Sequence, residues 1–161
     1  MNDVLLIMKQ SYKYPGLQTL ARELLVIFFS TTEHFSDTWA SWSIFSLDGD
    51  QFLARRIYYL KNKVYAEPEL NGPNTIGHDC YIDKGLAKQI STSFPKNMLK
   101  STEEIMIDGF SRYTIIPQEN IDYEWLAHGT NNYLYDKWLE KWANVLDDLM
   151  PVYSRPYIKC R

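Results

Sequence analysis

The sequence predicts an α+β fold, built as a single domain over residues 1–161. Three observations carry that expectation. Trp39 to Leu60 reads as a two-stranded β-hairpin, and the stretch ending near Met150 reads as a long amphipathic helix. The elements follow one another as helix, antiparallel strands and helix, without the strict β-α alternation of a parallel sheet.

At the N-terminal end, Tyr14-Pro15-Gly16 breaks the chain, and Pro15 suits the first turn of a helix. Leu17, Leu20, Ala21, Leu24, Leu25 and Phe28 then recur at helical spacing, which predicts an N-terminal helix. Its last part, Leu25 to Phe29, is also β-prone. Ser30 to Thr38 is polar and loop-like.

In the hairpin, Asp48-Gly49 sits between two alternating stretches, a strong signal for a two-residue turn. That register opposes Phe45 with Phe52, Ile44 with Leu53, Trp42 with Arg55 and Trp39 with Tyr58. One face then carries Trp39, Phe45, Leu47, Phe52 and Tyr58, the other Trp42, Ile44, Leu53, Ile57 and Tyr59. Both faces are apolar, so one supplies a core and the other needs a cover from a helix, another chain or a ligand. Arg55 and Arg56 point to opposite faces, and a buried arginine needs a partner, for which a structural carboxylate ranks above a ligand.

Val64-Tyr65-Ala66 reads as a third strand of an antiparallel meander, and Pro68, Asn71-Gly72-Pro73-Asn74 and Gly77 as a turn-rich connection. Leu86 to Phe94 is a short helix stopped by Pro95. Tyr113 to Ile116 is a strand ended by Pro117, and Ile121 to Leu126 another. Asn131 or Asn132 caps the C-terminal helix, closed by Pro151. Its apolar stripe is Leu134, Trp138, Trp142, Val145, Leu146 and Leu149, opposite Asp136, Lys137, Glu140, Lys141, Asn144 and Asp148.

Composition narrows the function. The formal net charge is −3, which argues against a nucleic-acid binder. Aromatic residues make up 15%, a content suited to cores and protein interfaces. The two cysteines, Cys80 and Cys160, form no CxxC and are too few for a disulfide framework. The first residues lack the basic start of a secretory signal, and the apolar run Leu24 to Phe29 is far shorter than the roughly 20 residues that span a bilayer. These features predict a cytoplasmic protein without a membrane partner.

The chemistry-bearing residues are sparse. His78-Asp79-Cys80 is the one cluster of catalytic types, with His78 and Cys80 on one side of an extended chain and Asp79 on the other. Adjacency is weak evidence here, because cysteine enzymes assemble nucleophile and base from separate segments. No zinc-type spacing joins His34 or His128, and Asp48-Gly49-Asp50 does not continue as a calcium loop, so no metal is expected. No P-loop, G-x-G-x-x-G or G-x-S-x-G is present, and no cofactor is expected.

Charge is more informative. Between Thr102 and Leu126 stand Glu103, Glu104, Asp108, Glu119, Asp122 and Glu124, against Arg112 alone. Tyr113, Tyr123 and Trp125 accompany them. Such a surface suits a basic protein partner: complementary charge speeds the encounter and aromatics supply affinity. Asp147 and Asp148 lie in the last turn of the final helix, where the macrodipole disfavours acids by about 0.3–1 kcal/mol each. A group kept against a local preference marks a place to inspect.

In general profile the chain resembles the bacterial immunity proteins that neutralise polymorphic or contact-dependent toxins. The resemblance rests on Trp39-Ala40-Ser41-Trp42, the Leu47-Asp48-Gly49 hairpin, the acidic segment from Glu103 and the Trp138/Trp142 helix. It implies a non-enzymatic binder of a cognate toxin domain, often a nuclease with a basic cleft. The expected interface is Glu103, Glu104, Asp108, Glu119, Asp122 and Glu124, with Tyr123 or Trp125 as anchor. The alternative is a small-molecule-binding domain or small enzyme with its site between the hairpin and the C-terminal helix, using Arg55 or Arg56 for an anion and His78 or Cys80 for chemistry.

Overall fold

The computed structural model describes residues 21–31, 38–48, 50–60, 75–96, 110–127 and 133–150. The α+β expectation holds: among the described residues six antiparallel strands form one sheet, and two helices pack on it, the longer being the later in the chain. The strands are β1 (Ala21–Thr31), β2 (Thr38–Leu47), β3 (Phe52–Leu60), β4 (Thr75–Ile82), β5 (Phe110–Ile116) and β6 (Ile121–Ala127). The helices are α1 (Lys84–Thr92) and α2 (Tyr133–Asp148). The sheet order is β4-β3-β2-β1-β5-β6. The first four strands form a meander, and β5 and β6 then add to the far side of β1.

The first correction concerns the N-terminal helix. Residues 21–31, with four of the six residues of the helical pattern, form β1, and Leu17 and Leu20 lie outside the described residues. The reason is burial. β1 is an inner strand with neighbours on both edges, and Val26, Ile27 and Phe28 are all fully buried. A strand covered on both faces reads as a continuous apolar run, which periodicity alone does not separate from a helix.

The second correction is a one-residue shift in the hairpin. Ser46 opposes Phe52, Phe45 opposes Leu53 and Trp42 opposes Arg56. The Leu47 amide donates to the Gln51 carbonyl at 2.8 Å, so the loop holds three residues, 48–50. Asp50 takes the left-handed conformation, φ 62°, that ends such loops. A one-residue slip moves every side chain of a strand to the other face. Phe52 therefore joins Trp42 and Ile44, while Leu53 joins Phe45 and Leu47.

Both helices stand on the face of Trp42. Asp83 caps α1 by accepting from the Leu86 amide at 2.9 Å, and Ala87 and Ile90 point inward. The buried stripe of α2 is Tyr135, Trp138, Leu139, Trp142, Ala143 and Leu146. Here too the sequence reading is rotated: Leu134 and Leu149 are exposed at 57% and 50%. Rings line the seam between sheet and helix. Phe28 stacks on Trp42 with centroids 5.5 Å apart and meets Trp138 edge-on at 5.3 Å. Phe94 joins Trp138 to Tyr123, which packs on Tyr135 at 4.9 Å. The hydroxyl of Ser93, just past α1, accepts both the Trp138 and Trp142 indole N–H groups. The opposite sheet face is also closed: Ile27, Phe45, Ile57 and Tyr113 are buried there.

The proposed third strand at Val64 to Ala66 and the cap at Asn131 or Asn132 lie outside the described residues. Gly77, read as part of the turn-rich connection, lies with His78-Asp79-Cys80 in β4. Among the described residues no helix is long and apolar enough to cross a membrane.

Candidate functional site

Two places follow from the sequence: the acidic surface around β6 and the region between hairpin and α2. The second is filled by protein. Arg56, 3% exposed, reaches from β3 to α2, where its Nη1 lies 3.1 Å from Asp147 Oδ1. The Trp42 indole N–H donates to the same oxygen at 2.9 Å. Arg55, 2% exposed, turns to the opposite face and holds Asp79 bidentately, at 2.7 and 2.8 Å. Each buried guanidinium thus has the structural carboxylate its charge requires.

His78 and Cys80 do share a face, with Asp79 on the other, since β4 alternates and Cys80 packs on the Trp42-side core. Their Cα atoms are about 7 Å apart along the strand. The His78 Nδ1–H donates to the Gly77 carbonyl at 2.9 Å. Burial, then the nearby Arg56, lowers the His78 pKa, and Asp79 opposes the shift. Burial, then Asp79, raises the Cys80 pKa, against Arg56. A reactive thiolate needs the reverse shift. The Cys80 shift therefore runs against an activated thiolate.

The acidic surface is only partly described. Glu103, Glu104 and Asp108 lie outside the described residues. Glu119 ends the 3-10 turn Pro117–Glu119, Asn120 follows in the left-handed conformation, and β6 begins at Ile121. This fixed turn sets the register of β6 on β5: Asp122 opposes Ile115 and Glu124 opposes Tyr113. Glu119 and Asp122 are exposed, and Glu124 is half-buried. Asp122 accepts the Tyr113 hydroxyl, which ties one carboxylate oxygen to a buried ring.

The anchors need correcting. Trp125 is 6% exposed and belongs to the core under the helices, and Tyr123 packs on Tyr135 and Phe94. Alternation along β6 sends Tyr123 and Trp125 to the helix face and Asp122 and Glu124 to the opposite one. The aromatics hold the strand; they do not present it. Arg112, the one cation of the segment, is also turned inward, to Asp136 on α2. No local signal marks this pair, because its partners come from β5 and α2.

Four carboxylates elsewhere are held by cations. Asp50 pairs with Lys84, Asp79 with Arg55, Asp136 with Arg112 and Asp147 with Arg56. Glu119, Asp122 and Glu124 have no cation partner among the described residues. Glu23 of β1, hydrogen-bonded by Gln118 of the 3-10 turn at 3.1 Å, adds a further exposed acid beside them. In comparison with known proteins, no family model, no curated protein and no solved structure matches the chain.

Proposed function

We propose that this chain is a non-enzymatic protein-binding domain, an immunity protein that binds and neutralises a cognate toxin domain bearing a basic surface. One observation carries the reading: Glu119, Asp122 and Glu124 stand together at the turn and outermost strand β6 with no cation beside them among the described residues. Acids left without counter-ions on a rigid strand keep their field outward, where it steers a basic partner. A basic nuclease cleft fits such a row, because its own function is to hold phosphates. The binding acids are Glu119, Asp122 and Glu124, with Glu103, Glu104 and Asp108 as further members of the same segment.

The test begins with capture of partners from the native host, bound protein being identified by mass spectrometry. The reading expects one basic domain at equal stoichiometry, released by high salt. Association is then measured for the triple variant Glu119→Gln, Asp122→Asn, Glu124→Gln. These replacements keep an acceptor for the Tyr113 hydroxyl. The association rate falls about tenfold or more and its salt dependence flattens. Unchanged affinity with an unchanged salt slope removes these acids from the interface.

A further inference from the structure

We propose, resting on the reading that the acidic surface meets a basic partner, that Tyr113 and Gln118 are positioning residues of that surface and that it extends to Glu23 at the start of β1. Two kinds of side chain hold carboxylates in this protein. Cations hold Asp50, Asp79, Asp136 and Asp147. Uncharged donors hold Asp122 and Glu23: the Tyr113 hydroxyl donates to Asp122 Oδ1, and the Gln118 side-chain amide donates to Glu23 Oε1 at 3.1 Å. The difference shows in the field outside. A cation cancels the charge it orients, whereas a hydroxyl or an amide fixes one oxygen and leaves the full negative charge in place.

Both donors belong to the hairpin of β5, the 3-10 turn and β6. Tyr113 stands opposite Glu124 and diagonal to Asp122 in the register, which is the reach of a long cross-strand side chain. It is 2% exposed, so its packed ring holds the hydroxyl still, and through it one oxygen of an exposed aspartate. Gln118 is the middle residue of the turn Pro117–Glu119 and reaches back to β1, the strand on which β5 pairs. That bond joins the exposed Glu23 to the turn that carries Glu119. A carboxylate ordered before contact loses less freedom when a partner docks. Net charge governs the encounter, so these two donors act on the lifetime of a complex and leave its rate of formation alone.

Two measurements on the full chain test the proposal, the first without a partner. By NMR, the Hα–Hβ couplings of Asp122 report a single χ1 rotamer in the parent and an average of rotamers in Tyr113→Phe. The second follows binding to the basic domain recovered with the chain from its native host. Tyr113→Phe and Gln118→Ala keep the net charge; each leaves the association rate unchanged and speeds dissociation about threefold or more. In an Asp122→Ala background, Tyr113→Phe has no further effect on dissociation. Glu23→Gln slows association about twofold, as a member of the charged surface does. Gln118 is exposed on the turn, so its variant keeps the test alive should Tyr113→Phe fold poorly. Asp122 couplings already averaged in the parent, or dissociation rates that neither variant moves while Asp122→Ala weakens binding, overturn the positioning role and leave the binding function standing. An association rate indifferent to Glu23→Gln removes Glu23 from the surface. Recovery of no basic domain overturns the binding function and the positioning role together.

Discussion

Replacing Asp147 and its neighbour Asp148 in turn separates two electrostatic effects that the same helix end brings together. Asp147 sits in the last turn of α2, where the macrodipole opposes an acid by about 0.3–1 kcal/mol. Against this stand the Arg56 contact at 3.1 Å and the Trp42 indole at 2.9 Å. Two unit charges at that separation attract by roughly 5 kcal/mol at an effective dielectric near 20, before desolvation is subtracted. Removing one partner of a buried pair costs about 3–5 kcal/mol. The Asp147 side chain is 17% exposed, so water partly compensates, and the lower end applies.

Asp147→Asn keeps an acceptor oxygen for Trp42 and loses the charge, which costs about 2–3 kcal/mol after the relief of the dipole term. Asp147→Ala also orphans the indole N–H and costs about 1 kcal/mol more. Asp148→Asn, exposed and one residue on, has the opposite sign: relief of the dipole stabilises by about 0.3–1 kcal/mol. Urea unfolding of the three variants measures all of this under one protocol. If both Asp147 variants stay within about 0.5 kcal/mol of the parent, the buried pair does not hold α2 to the hairpin and the reasoning fails.

Four further outcomes are expected. Gly85→Ala, normally worth about 0.5–1 kcal/mol in a helix, gains nothing here, because its Cβ meets the capping Asp83 Oδ1 at 2.9 Å; in an Asp83→Ala background, itself about 1 kcal/mol less stable, the gain returns, and a double-mutant cycle reads the difference. Leu139→Ala costs about 2–5 kcal/mol while Leu134→Ala stays within about 0.5, and equal losses in urea unfolding contradict the rotated stripe of α2. The folded-state pKa of His78 lies below its usual 6.5, so the unfolded chain takes the proton first; stability is intact above 6.5 and falls as pH drops through the lowered value. Unfolding at stepped pH therefore shows the parent losing ground to His78→Gln on acidification, and parallel curves contradict the assignment. In a Cys160→Ser background, Cys80 reacts with a disulfide reagent at mildly alkaline pH more slowly than in denaturant, and a faster rate restores the thiolate reading.

Where one local signal decided the structure, the sequence was legible. Pro95 and Pro117 stop their elements where expected, and the strands at 110–116 and 121–127 and the helix at 133–148 are where their residue types put them. The errors share a cause: each depends on neighbours distant in the chain. The helical spacing from Ala21 to Phe28 lost to strands β2 and β5 closing on both edges of β1. Asp48-Gly49 is a sound two-residue turn by itself, yet the loop extends to Asp50, which takes the left-handed position and is held by Lys84 from α1. The stripe of α2 was drawn through the largest aliphatics, while the sheet selects the face of Tyr135, whose hydroxyl meets Thr114 at 2.8 Å. Asp147 was legible in part. Its position against the dipole marked it, and the need of a buried arginine for a carboxylate marked Arg56, but only the fold joins the two.

The acidic surface depends on distant neighbours in the same way. A count along the sequence sets six acids against Arg112 between Thr102 and Leu126 and so credits the segment with one compensating cation. The fold removes it: β5 alternates, Arg112 faces the helices, and Asp136 takes its charge. Arg55 and Arg56 are likewise committed to Asp79 and Asp147. Each such pair is neutral and contributes little to the field outside. The modest net charge of −3 is therefore unevenly spread, and the described part of β6 with its preceding turn holds acids with no described cation opposite them. The packing of Tyr123 and Trp125 on the core adds to this, since alternation then sets Asp122, exposed, and Glu124, half-buried, on the opposite face. Aromatic anchors and an acidic surface are thus two consequences of one strand pattern, and a basic partner would meet the acids on a backbone that its own approach has no need to order.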